Sequence, residues 1–125
     1  MIYAILILIA LAALWHRGTS TTYQRYAAVM AFRRARDNGT LTDEAKWFAY
    51  PAAGEAWLVD VLYCWLMGWW PFLLLGNPAK AIPREAMFTH YLERQMKGCG
   101  LRARLARWMC RGMLDPLDSR GRHCD

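Results

Sequence analysis

The nineteen residues from Trp57 to Leu75 constrain this chain more than any other feature. They are almost wholly apolar, yet they carry Asp60 near their start and Gly68-Trp69-Trp70-Pro71 in their middle. A run of that length suits the ~30 Å hydrocarbon core of a bilayer, which takes about 20 apolar helical residues to cross. A simple spanning helix wants neither a carboxylate nor a breaker. Proline lacks an N–H and clashes with the preceding turn, so a break or kink at Pro71 is expected on sterics alone. At helical spacing Asp60, Cys64 and Gly68 fall at i, i+4 and i+8 as a small, polar stripe, while Leu62, Trp65, Leu66 and Trp69 cover a broad apolar face. The stripe reads as a helix contact. Asp60 reads as a wet carboxylate helped by the positive end of the helix dipole, or else as an ion or proton site within the membrane.

A second apolar run, Ile2 to Trp15, has no charge over fourteen residues and ends at His16-Arg17-Gly18. At ~1.5 Å per residue it reaches roughly 21 Å, so spanning requires Met1 and residues through Thr19, with Arg17 snorkelling to the headgroups. Ala10-Leu11-Ala12 has the form of a signal-peptidase site, but no Lys or Arg precedes the run and cleavage there would leave a short apolar core. An uncleaved anchor is the expectation. Arg17, Arg25, Arg33, Arg34 and Arg36 follow it closely, so the positive-inside rule puts the N-terminus outside and the following chain in the cytoplasm.

Charge also bears on the second run. The chain holds 16 Lys+Arg against 10 Asp+Glu, a net charge of +6, which suits anionic lipid or nucleic acid. If Trp57 to Leu75 crossed as an ordinary helix, the ten Lys and Arg beyond it would lie outside, on the wrong side for the charge rule. A re-entrant hairpin, dipping over Leu58 to Met67, turning at Gly68 to Pro71 and returning over Phe72 to Leu75, keeps every cation on one face. Its difficulty is non-helical backbone at membrane depth, which has to be buried in protein or face water.

Outside these runs the pattern is helical and amphipathic. Ser20, Thr21 or Thr22 can cap a helix to about Arg36, with Tyr23, Tyr26, Ala27 and Met30 on one face. Thr42 can cap a second, with Asp43 and Glu44 in its first turn, that is expected to end before Pro51. Pro83 suits the start of a helix to about Lys97. After Gly98-Cys99-Gly100, Leu101 to Leu114 puts Leu101, Leu105, Trp108 and Met109 on one face and Arg104, Arg107 and Arg111 on another, a stripe able to contact anionic lipid or phosphate. Asp115-Pro116 stops it, and residues 117–125 read as a polar tail. Cys64, Cys99, Cys110 and Cys124 read as free thiols in a reducing compartment. Cys99, Cys110, His123 and Cys124 lack the paired spacing that holds zinc, so no metal or cofactor is expected. His16, His90 and His123 have no catalytic arrangement around them and no phosphate-cradling glycine loop is present. Asn38-Gly39-Thr40 is read as turn chemistry rather than a glycosylation acceptor.

The expected fold class is therefore all-α: a small membrane protein with an N-terminal anchor helix (1–16), a cytoplasmic amphipathic segment (17–55), a kinked or re-entrant second membrane segment (56–78) and basic amphipathic helices with a tail (79–125). The expected function is non-enzymatic, by assembly or by binding a larger membrane protein, in the cell membrane with the bulk of the chain cytoplasmic. The expected partners are the bilayer, anionic headgroups and either a membrane protein or further copies of the chain. In size and layout it is similar to small bacterial and phage membrane effectors, including holin-like and exclusion-type proteins, although no residue motif carries that likeness. The rival reading is a peripheral or soluble basic helical module that binds nucleic acid or anionic lipid.

Overall fold

Nothing between Ile2 and Asp37 compels a helix to stop, and in the computed structural model, which describes residues 1–124, the chain runs as one 36-residue helix, α1 (Ile2–Asp37). The expected boundary near Gly18 to Thr22 is absent. The hydroxyls that could have capped a new helix turn back onto their own: Thr19, Thr21 and Thr22 donate to the carbonyls of Trp15 (2.7 Å), Arg17 (3.0 Å) and Gly18 (2.9 Å). That is the other local bond available to threonine, and it leaves the helix intact. Asn38-Gly39 ends α1 as expected, with Gly39 at φ +69° and its N–H on the Arg36 carbonyl.

Thr42 caps α2 (Asp43–Tyr63), its Oγ1 accepting from the Ala45 N–H at 3.2 Å. The helix does not end before Pro51 but runs through it. Pro51 sits on the exposed side of α2, where water can take the carbonyl that loses its donor. Helix α2 continues as a π-helical turn, Cys64–Gly68, and after a single turn residue at Trp69 as a short helix, α3 (Trp70–Leu73). The segment Gly68 to Pro71 is thus no hairpin. Although a turn residue, Trp69 keeps right-handed helical angles, and the helical path ends in a turn and bend from Leu74. Widening to a π-turn just ahead of Pro71 accommodates its ring and missing N–H without reversing the chain.

Short helix α4 (Pro78–Ala81) is capped by Asn77, then α5 (Phe88–Met96) and α6 (Gly100–Met109) follow. A second π-turn, Cys110–Leu114, and a 3-10 turn, Asp115–Leu117, complete an all-helical fold with no strand among the described residues. Helix α5 starts at Phe88 rather than near Pro83. The connection before it is held open by Arg94, which ion-pairs with Glu85 and donates to the carbonyls of Lys80 (2.9 Å) and Ile82 (2.8 Å).

Helices α1 and α2 pack antiparallel, through Arg25–Glu55 at 2.6 Å and Thr19–Tyr63 at 2.6 Å. Because the Thr19 hydrogen is committed to Trp15, Tyr63 is the donor in the second contact. The core lies between α2, the first π-turn, α3, α5 and α6. Tyr63, Cys64, Phe72, Tyr91, Leu92 and Cys110 are among its buried members, and Tyr63–Phe88 and Phe72–Tyr91 meet edge to face at 4.8 and 5.3 Å. On α6 the buried face is Ala103, Ala106 and Met109, so Leu101 and Trp108, expected beside Met109, point outward at 61% exposure each.

The cysteines are not all free. Cys110 and Cys124 form a disulfide with Cα atoms 6.0 Å apart, while Cys64 and Cys99 are thiols. Spacing alone could not show this, because the partner arrives only when the tail folds back. That return is organised by Asp118, buried and bonded by the backbone and side chain of Arg120 and by His123 Nδ1 at 3.2 Å, and by Asp115, which accepts from the His123 N–H at 2.8 Å. The expected polar tail is an ordered strap as far as Cys124, with Asp125 outside the described residues.

Two stretches, Ile2–Asp37 and Asp43–Leu73, are long and apolar enough to cross a membrane by length and composition. They differ in environment. None of the most apolar window of the first is buried in the protein, against 22% of the second. All residues from Met1 to Leu14 are exposed, so the start of α1 projects beyond the rest of the molecule as a bare apolar rod.

Candidate functional site

The polar stripe of α2 faces inward, onto the segment that leads into α5. Asp60 Oδ2 accepts from the Phe88 N–H at 3.2 Å and so satisfies a free donor at the start of α5, a capping bond supplied from another helix. Cys64 is fully buried, its thiol 3.8 Å from the Glu85 carbonyl. Gly68 lies under the Phe88 ring, and a Cβ there would stand 2.6 Å from it. One stripe thus holds one strand of connecting chain, and each member contributes what its size and polarity allow.

Asp60 also borders open space. Two adjoining cavities of about 40 and 190 Å³ share Thr22, Tyr26, Asp60 and Thr89 in their walls. The larger, which is partly open to solvent, is also lined by Trp57, Met30 and His123. Asp60 has no ion-pair partner among the described residues, and Phe88 supplies its only hydrogen bond. Threonine 89 was not flagged by the sequence, nor was His123 as a neighbour of Asp60. Tyr26 could have been found, since it lies on the apolar face of α1 that the periodicity marks. His123 arrives through the strap, where its ring meets Tyr26 edge to face at 4.7 Å.

Charge around the strap is strongly organised. The Arg120 guanidinium, aided by the Arg120 N–H and by His123, holds the Asp118 carboxyl well below the usual carboxylate range despite its burial. Burial, reinforced by Asp118 and Asp115, pushes the Tyr26 phenol well above its ordinary value, and its O–H donates to the Leu114 carbonyl at 3.0 Å.

The remaining expected residues are dispersed. Trp69 Nε1 donates to the Trp65 carbonyl at 3.0 Å, and Trp70 and Pro71 begin α3. Arg107 is used inside the fold, donating to the Met96 carbonyl at 3.0 Å to close the end of α5. Arg104 and Arg111 are exposed, on the side of α6 that also shows Leu101 and Trp108. Among the described residues no group of three or more His, Cys, Asp or Glu side chains could hold a metal ion. Comparison with known protein families, with curated proteins and with solved structures finds no match to this chain.

Proposed function

We propose that the protein is a membrane-anchored helical adaptor without enzymatic activity, which works by assembly or by binding a larger membrane protein. Met1 to about Trp15 enters the bilayer with the N-terminus outside, and the remainder lies on the cytoplasmic face. The observation that carries this reading is the bare rod: fourteen consecutive exposed residues, including Ile2 at 71%, Leu8 at 63% and Ile9 at 60%, lie beyond the packed body of the molecule. Apolar surface on that scale is covered by lipid or by another protein.

The second apolar run fits the body better than the bilayer. Its inner face packs on Tyr91 and on the connection that carries Glu85, which Arg94 of α5 pairs with, so submerging it fully would drag that ion pair and Lys80 towards hydrocarbon. Of the kinked and re-entrant alternatives the kinked one agrees with the helical path through Gly68–Pro71, and a single anchor already keeps all 16 Lys and Arg on one side. The outer face, with Trp57, Leu58, Leu62, Trp65 and Leu66 about half exposed, is the surface we assign to a membrane-protein partner or to further copies of the chain. Arg104 and Arg111 beside Trp108 suit anionic headgroups. Nucleic acid is the weaker reading, because nothing that reads bases accompanies the basic stripe.

The Cys110–Cys124 disulfide argues against a cytoplasmic body, since such bonds persist mainly in oxidising compartments. Reporters fused after Asp37 and at Asp125 weigh the two arguments. Cytoplasmic signals from both are expected; external signals from both would overturn the charge argument, and opposite sides would establish a full crossing by the second run. Carbonate extraction tests the anchor itself, and release of the full-length chain would favour the peripheral module.

A further inference from the structure

We propose that the cavity beside Asp60 binds a primary alkylammonium group, with Asp60, Thr22 and Thr89 accepting its three N–H donors. The inference is independent of how the chain meets the membrane.

The walls specify the ligand in three steps. The first is charge. Asp60 carries two oxygens with about four acceptor positions, of which the Phe88 N–H uses one; among the described residues no Lys or Arg forms an ion pair with it, and its basic neighbour is the exposed His90, which acts on it through space without a hydrogen bond. A carboxylate held between helices without an ion-pair partner is costly, and a cationic ligand offsets that cost. The second is donor count. The Thr22 hydroxyl gives its hydrogen to the Gly18 carbonyl and keeps its lone pairs, while the Thr89 hydroxyl has no partner among the described residues. Both side chains border the same space as Asp60. Three acceptors around one cavity match the three hydrogens of R–NH3+. They do not suit a divalent ion, which takes six or more oxygens where this site offers one carboxylate.

The third is size and polarity. About 190 Å³ falls below the ~300–1,000 Å³ of pockets for drug-sized ligands, so the ligand is a few heavy atoms long. Beyond the acceptors the walls are Trp57, Met30, Val29 and Ala53, which receive an alkyl stem, with the Trp57 and Tyr26 rings available to the cation. His123 also borders the space, but its Nδ1 is engaged by Asp118. The same chemistry is presented by a free alkylamine and by the ethanolamine headgroup of a lipid.

The test is calorimetric titration of detergent-solubilised full-length protein with n-butylammonium chloride. Saturable one-to-one binding is expected, at least tenfold tighter than for 1-butanol, which lacks the charge, or for tetramethylammonium, which lacks the N–H donors. Asp60→Asn keeps an acceptor for Phe88 and should weaken binding at least tenfold with an unchanged near-ultraviolet circular dichroism spectrum. Thr89→Val, a same-shape change, should weaken it several-fold and serves if the Asp60 variant does not fold. No saturable binding, equal binding of 1-butanol, or undiminished affinity in both variants would overturn the proposal. In nanodiscs, weaker butylammonium binding with phosphatidylethanolamine than with phosphatidylcholine identifies the headgroup as occupant, and equal binding identifies a soluble amine.

Discussion

Gly68 has no room for a methyl group. Its would-be Cβ meets two atoms of the Phe88 ring at 2.6 and 2.7 Å and the Tyr63 ring at 2.9 Å, and both rings are buried. Overpacking a fitted core costs about 1–3 kcal/mol, and Gly68→Ala should lower unfolding free energy by that much in a urea titration. Gly18 makes an internal control. Its nearest neighbour, at 2.5 Å, is the thioether of Met67, which can swing aside, and the better helix propensity of alanine offsets part of any strain, so Gly18→Ala should be close to neutral. Two other residues set the pH range. Asp118 has a depressed pKa in the fold, so its contribution is complete above the unfolded value of ~4 and is lost as pH falls through the folded one. Tyr26 has a raised pKa, so above ~10 the unfolded chain gains from ionising while the folded chain does not. Urea midpoints should therefore sag below about pH 4 and above about pH 10. Asp118→Asn should flatten the acid limb, and an unchanged limb would show that other carboxyls set it.

Helix α2 carries Pro51 in its ninth position and keeps going, which makes the proline a standing cost. In a helix interior proline is worth about 3 kcal/mol less than alanine, against roughly 0.4–1 kcal/mol recovered by stiffening the unfolded chain. Pro51→Ala should thus raise stability by about 2 kcal/mol, and a loss of stability would mean that the body needs a bend there. The strap offers the complementary case. Cys110–Cys124 closes a loop with a sequence separation of 14, worth about 3 kcal/mol by chain entropy. Cys110→Ser should lose about that much under oxidising conditions, and dithiothreitol should bring the wild type down to meet it. These elements also show what the sequence can reveal. The start of α2 was legible because its signals are local: a capping threonine followed by two acids. So was the break at Gly98–Gly100, whereas the expected stop at Asp115-Pro116 falls inside the 3-10 turn, which carries the helical path on to Leu117. The continuity of α1 was not, because the hydroxyls at Thr19, Thr21 and Thr22 serve equally as caps or as back-bonds within a helix. The late start of α5 depends on Arg94 reaching back to residues 80–85, and the disulfide on a strap that returns to α6. Asp60, Cys64 and Gly68 could be grouped from helical spacing, but the cavity beside Asp60 needs Thr89 and His123, which only tertiary folding brings there.

At the scale of the whole molecule, the division between rod and body leads to a decisive deletion. Met1 to Leu14 contribute no buried residue, and the contacts of α1 with the body begin at Trp15 and Gly18. Removing them should change the unfolding free energy of the body by no more than about 1 kcal/mol, mostly from the new helix end. Membrane attachment should respond quite differently. If the rod is the anchor, the truncated chain moves from the carbonate-resistant pellet to the supernatant while it keeps its helical circular dichroism and its Cys110–Cys124 bond. The apolar outer face at Trp57 to Leu66 remains on that truncated chain, so the two membrane-length helices are tested separately in one experiment. A truncated protein that stays in the pellet would move the anchor to α2. Such an anchor would require Arg94, Glu85 and Lys80 to be paired, wet or shielded by partners at the membrane, because the body cannot shed them without giving up the connection into α5.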